Sequence, residues 1–127
     1  LALTHQAQFR RIALFDHIVN NADRKGGHCL LDEKGQIWAI DHGICFHAEP
    51  KLRTVIWDFQ GQSIPPALLE DVQQLRGKLG GGDLHGALCE LLTPAEVEAL
   101  GNRIDALLES GVFPQPGPGP NYPWPPV

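Results

Sequence analysis

Two acidic residues, Asp23 and Asp41, each stand at the end of an expected regular element. The stretch between them carries most of the chemistry available to the chain. From Asn20 to Gly43 it reads NNADRKGGHCLLDEKGQIWAIDHG. Phosphoryl transfer asks little covalent work of a protein. It needs a carboxylate beside the acceptor hydroxyl and oxygen ligands for the metal ions that bridge the phosphates. A known arrangement puts one Asp on a loop and a metal-binding residue five positions later. A second metal-binding Asp then opens an Asp-x-Gly turn after a small hairpin. Here Asp23 is followed by His28, and Asp41-His42-Gly43 comes next. A single loop Asp is usually a solvated surface residue. The reading rests on the conjunction: loop Asp, adjacent Arg24, a polar residue at 28, a hairpin, then apolar residues running into Asp-x-Gly.

The flanking elements must hold these side chains. Thr4 caps an expected helix to about Asn20, with Phe9, Ile12, Phe15, Ile18 and Val19 at helical spacing and Arg10 and Arg11 opposite. His5, Asp16 and His17 read as solvated or locally hydrogen-bonded. Asn20 and Asn21 suit the helix end because Asn tolerates the left-handed conformation. A loop over 22–27 contains Gly26-Gly27. Strands are expected over 28–32 and 36–40, joined through Glu33-Lys34-Gly35. Trp38 and Ile40 would share one face, and Ile37 and Ala39 the other.

Beyond Gly43 the order is less regular. Residues 47–53 read as a loop, and 54–57 as either extended or a short helical turn. Ser63 with Pro65-Pro66 opens a helix whose face is Leu68, Leu69, Val72, Leu75 and Leu79. After the 80–82 glycines, Asp83 is the expected N-cap of a short helix with Leu84, Leu88, Leu91 and Leu92. Thr93-Pro94-Ala95-Glu96 forms a capping box ahead of Val97, Leu100, Ile104, Leu107 and Leu108, and Gly111 ends that helix. Residues 114–127, PQPGPGPNYPWPPV, lack the N–H donors for a helix or central strand. They form an extended tail or linker that docks Tyr122 and Trp124 on its own domain or serves a partner. The expected fold is α+β, mainly α: one domain over 1–113 and a Pro-rich tail over 114–127.

Composition narrows the partners. The net charge of -5 argues against a nucleic-acid surface, which would be basic. No apolar run is long enough for a transmembrane helix, and no signal peptide is visible. Cys29, Cys45 and Cys89 are odd in number and lack CxxC spacing, so reduced, mostly buried thiols in a cytoplasmic protein are expected.

The Asp23-Arg24-Lys25 loop and the Ile40-Asp41-His42-Gly43 turn resemble the phosphatidylinositol 3- and 4-kinase-like superfamily. Its loop reads Asp-Arg-His-x-x-Asn and its metal turn Asp-x-Gly. The chain looks closest to small actinobacterial members with an Asn-x-x-Asp-Arg-Lys loop and a Pro- and Trp-rich end. The strong match covers about 16–46. The resemblance implies the carboxy-terminal lobe of a kinase-like domain. Such a domain moves the ATP γ-phosphate to a hydroxyl acceptor (protein, lipid or small molecule) with a divalent metal, magnesium or manganese. It implies that Asp23 orients or deprotonates the acceptor and that Arg24 braces the loop by pairing with a carboxylate. Lys25, in place of the usual His, would reach a phosphate. His28 and Asp41 would hold metal and nucleotide, and Asn20 or Asn21 would position the loop.

Two departures from the family pattern matter. His28 stands where the family has Asn, and imidazole suits manganese or zinc better than magnesium. The 22 residues before Asp23 read as one helix, so the Gly-rich loop, the phosphate-binding Lys and its Glu partner have no candidates there. The 80–82 glycines follow no strand and read as a linker. Transfer by this chain alone is therefore expected to be poor. Two rival readings remain. One is a metal-dependent hydrolase using Asp23, His28, Asp41, His42 and His47. The other is a pseudokinase-like interaction module working through its Pro-rich tail.

Overall fold

The computed structural model describes residues 5–127, so the expected cap at Thr4 lies outside the described residues. Four helices and one small sheet are present: α1 (Gln6–Val19), β1 (Cys29–Leu31), β2 (Ile37–Ala39), α2 (Pro66–Lys78), α3 (Asp83–Leu91) and α4 (Pro94–Ser110). A 3₁₀ turn over Gly26–His28 leads into β1. The architecture is thus mainly helical with one antiparallel pair, as the α+β reading expected.

The hairpin follows its local sequence. Cys29 pairs with Ala39, Leu30 with Trp38 and Leu31 with Ile37. Gly35 sits at φ +82°, where a side chain would be strained. Asp32 fixes the turn as well: its Oδ1 accepts from the backbone N–H groups of Lys34 and Gln36, and its Oδ2 from Trp38 Nε1. The expected alternation holds, with Ile37 buried and Trp38 and Ile40 exposed. Gln8 of α1 then clamps the hairpin. Its Nε2 donates to Gly35 O at 2.7 Å and its Oε1 accepts from Ile37 N at 2.6 Å.

α4 lies at the centre and packs against α1, α2 and α3. Its start is the expected capping box: Glu96 N–H donates to Thr93 Oγ1, and Thr93 N–H to Glu96 Oε1. Gly111 closes it at φ +68°. Leu100, Ile104 and Leu107 meet Phe9, Ile12, Ile18, Ile56, Phe59, Val72 and Phe113 in one apolar core.

Several expectations fail for identifiable reasons. Ser63 does not open α2. It bridges antiparallel to Val112, and Pro65 precedes the helix instead. Asp83 is the first residue of α3 rather than its cap, because Gly82 at φ +91° makes the entry turn. Leu91 is exposed, since α3 buries no residue fully and runs along the surface. Phe15 lies at the edge of the core rather than in it, edge-on to His42. Of the two alternatives for residues 54–57 the helical turn is not formed, and Thr54 makes a parallel bridge with Arg24 as an extended residue does. All three cysteines are free, and Cys89 is exposed rather than buried.

The Pro-rich tail folds back on the domain, but not through its aromatic side chains. Tyr122 is 59% and Trp124 89% exposed. Backbone carbonyls and the buried Pro123 make the contact. Asn121 O accepts from Thr54 N at 3.0 Å and from Trp57 Nε1 at 3.1 Å, and Pro126 O accepts from Gly26 N at 2.9 Å. A proline-rich segment has few donors to satisfy and keeps its carbonyls free to accept.

Candidate active site

The framework of the site is a buried ion pair whose acidic partner, Asp16, sequence reasoning did not single out. Asp16 and Arg24 are both 0% exposed. Arg24 Nε donates to Asp16 Oδ2 at 2.8 Å and Nη2 to Asp16 Oδ1 at 2.9 Å, a bidentate pair. Arg24 Nη1 reaches Ile40 O at 3.1 Å and His28 O at 3.4 Å. One guanidinium thus joins α1, the end of the loop, and the residue before Asp41. Burial would lower the Arg24 pKa, but the hydrogen bonds and charge of Asp16 outweigh it and hold the pKa above its ordinary value. Arg24 pairs with a carboxylate, as the resemblance implied, and Asp16, read as solvated or locally hydrogen-bonded, takes the second alternative and is fully buried. The available signal was its phase: Asp16 shares the inward arc of α1 with Phe9, Ile12 and Val19.

Asn21 bonds the loop, while Asn20 holds the 47–51 segment. Asn20, at φ +56°, accepts from Lys51 N and donates to the carbonyls of His47 and Glu49. Asn21 Nδ2 donates to Asp16 Oδ1 at 3.1 Å, and Asn21 Oδ1 accepts from Asp23 N at 3.0 Å. Arg24 N donates to Arg53 O and Val55 N to Arg24 O, so the loop is stitched to the following segment.

On this frame the residues at 23, 25, 28 and 41 come together. Lys25 Nζ lies 3.8 Å from Asp23 Oδ1. His28 Nδ1 lies 3.0 Å from Asp23 O and, at a longer 3.3 Å, from Lys25 N. The Asp23 carbonyl calls for a hydrogen on Nδ1 and the Lys25 N–H for a lone pair there, so the two contacts call for opposite tautomers. His28 Nε2 faces Asp41 Oδ2 at 3.3 Å. A proton on Nε2 or a cation between the two groups suits that distance equally. An imidazole steadied through its other nitrogen is the usual arrangement of a metal-binding His. Asp41 holds φ +61°, an uncommon angle outside glycine that Asp tolerates better than most residues. No group of three His, Cys, Asp or Glu side chains that could hold a metal occurs among the described residues. His28 and Asp41 are two donors, too few for a closed protein cage, so a cation there would need water or phosphate oxygens as further ligands. His42 lies edge-on to Phe15, and His47 Nδ1 accepts from Glu49 N.

The family model for phosphatidylinositol 3- and 4-kinase matches residues 4–94, a span that contains this whole arrangement. The chain belongs to that family. It is also similar to Protein Rv2133c of Mycobacterium tuberculosis, with 45% identity over 118 residues. The match covers 93% of this chain and 42% of that relative, so the chain spans less than half the relative's length. No solved structure matches. Among the described residues, no helix is long and apolar enough to cross a membrane.

His17, read from sequence as solvated, is half-buried and edge-on to Trp57 at 5.7 Å between ring centroids. Burial pushes its pKa down to about 4, against a smaller raising effect of Asp16. The unfolded chain, with an ordinary imidazole, binds a proton that the folded one refuses. Stability is therefore complete above about pH 6.5 and falls as pH drops towards 4. After discounting for partial exposure, the loss is about 2 kcal/mol. Urea denaturation at pH 7.5 and pH 4.5 reads it, and His17→Phe should flatten this part of the pH dependence.

Proposed function

We propose that this chain is the carboxy-terminal lobe of a metal-dependent, kinase-like phosphotransferase. It would move the ATP γ-phosphate to a hydroxyl acceptor once a nucleotide-binding lobe is in place. The observation that carries this is the convergence of His28 and Asp41 at 3.3 Å, with Asp23 and Lys25 alongside, on one buried arginine. Asp23 orients the acceptor hydroxyl and receives its proton. Lys25 reaches a phosphate oxygen, and Arg24 positions the loop without touching substrate. His28 Nε2 and the Asp41 carboxylate hold the divalent cation. When bound, that cation neutralises charge on the β- and γ-phosphates. An exposed apolar surface around the hairpin supports a second lobe: Phe15, Leu30, Leu31, Trp38, Ile40 and Ile44 are all large and at least 41% exposed. A cytoplasmic location fits a nucleotide-dependent reaction.

An imidazole ligand favours manganese over magnesium more than an amide oxygen does. In the longest natural form of the protein, His28→Asn should therefore lower the manganese-to-magnesium rate ratio by about tenfold. An unchanged ratio would remove His28 from the metal site.

A further inference from the structure

Away from the Asp23–Asp41 cluster, a groove of about 720 Å³ runs between α4, the 48–52 segment and the Pro-rich tail. Its volume is in the range of small-molecule sites. Leu52, Trp57, Leu107 and several tail prolines give it apolar walls. Its charged groups are of one sign. Lys51 and Arg103 line it and no carboxylate does, in a chain whose net charge is -5.

Arg103 is a half-buried cation without a counter-ion. Its Nε donates to Ile18 O at 2.9 Å and its Nη1 to His47 O at 3.2 Å. Its Nη2 is shut off from solvent with no acceptor at all. Burial lowers its pKa, the opposite of what a carboxylate does for Arg24. Two carbonyls satisfy hydrogen bonds but supply no negative charge, and an uncompensated buried charge is costly. Lys51 forms no ion pair among the described residues, while its backbone N–H is fixed by Asn20 Oδ1 at 3.0 Å. His17, also on the wall, is neutral at pH 7 and adds no charge.

We propose that this groove binds a small organic anion. A carboxylate, sulfonate or phosphate-ester group would lie at Arg103 and Lys51, and an aromatic or alicyclic body against Trp57, Leu107 and the tail. The anion supplies negative charge beside Arg103, on its exposed Nη1 side rather than at the shielded Nη2, and Trp57, Leu107 and the tail prolines supply the apolar contact. This proposal does not depend on the phosphotransfer reading.

The probes are naphthalene-2-sulfonate and its neutral analogue naphthalene-2-sulfonamide, titrated into the whole chain by calorimetry. The sulfonate should bind about tenfold or more tighter than the sulfonamide. Lys51→Gln should weaken the sulfonate by about threefold or more and leave the sulfonamide unchanged. Ala106→Trp, at an exposed groove position on α4, should abolish both. Lys51→Gln leaves the Arg103 contacts intact, so its result does not turn on folding. Equal affinity for the two probes, no sulfonate binding at millimolar concentration, or full binding by Ala106→Trp would each overturn the proposal.

Discussion

Replacing Arg24 with Met should cost about 3–5 kcal/mol of stability, because it leaves the Asp16 carboxylate buried without its counter-charge. Asp16 and Arg24 are fully buried and joined by two short hydrogen bonds. Arg24 also donates to the Ile40 and His28 carbonyls, so the variant removes four hydrogen bonds at once. Asp16→Asn should cost less. It keeps one acceptor oxygen for the guanidinium and leaves the Asn21 side chain close by. The pair removed together, Asp16→Leu with Arg24→Met, should recover part of the loss, since two apolar groups do not leave a lone buried charge. Chemical denaturation of the parent, Asp16→Leu, Arg24→Met and the double variant makes the double-mutant cycle. Costs that simply add would mean that Asp16 and Arg24 do not act as a unit.

Much of this frame could be read in advance, and the unread part has a physical reason. The hairpin, the Asn20 turn and the Thr93–Glu96 box depend on neighbours within a few residues, so local spacing reveals them. The +5 relation of Asp23 and His28 was legible for the same reason. The Asp16–Arg24 pair joins a helix to a loop, and its charge looked like the solvated side of α1. Only its phase with Phe9, Ile12 and Val19 marked it as inward. The docking of the tail was illegible because carbonyls of Asn121 and Pro126 make its hydrogen bonds, and any residue has a carbonyl. Ser63 and Asp83 were misassigned because good capping residues are common next to turns. Gly82 and Pro65 took over the helix entries through backbone angle alone.

Asp41→Asn should reduce phosphotransfer by about 1000-fold while leaving the fold intact. Its side chain is 61% exposed, and its contact in the structure is His28 at 3.3 Å, so stability does not hang on it. The amide keeps the size and the tolerance for φ +61° but loses the charge. A bound cation contributes several kcal/mol of charge stabilisation, and about 4 kcal/mol corresponds to three orders of magnitude. Far-ultraviolet circular dichroism and a melting curve should match the parent protein.

The most direct measurement is ADP release by the longest natural form of this protein, with ATP and either magnesium or manganese, beside its Asp41→Asn variant. The account predicts metal-dependent turnover, at least as fast with manganese as with magnesium, that disappears in the variant. Turnover that survives Asp41→Asn, or a long form that neither binds metal–ATP nor turns it over, would contradict it.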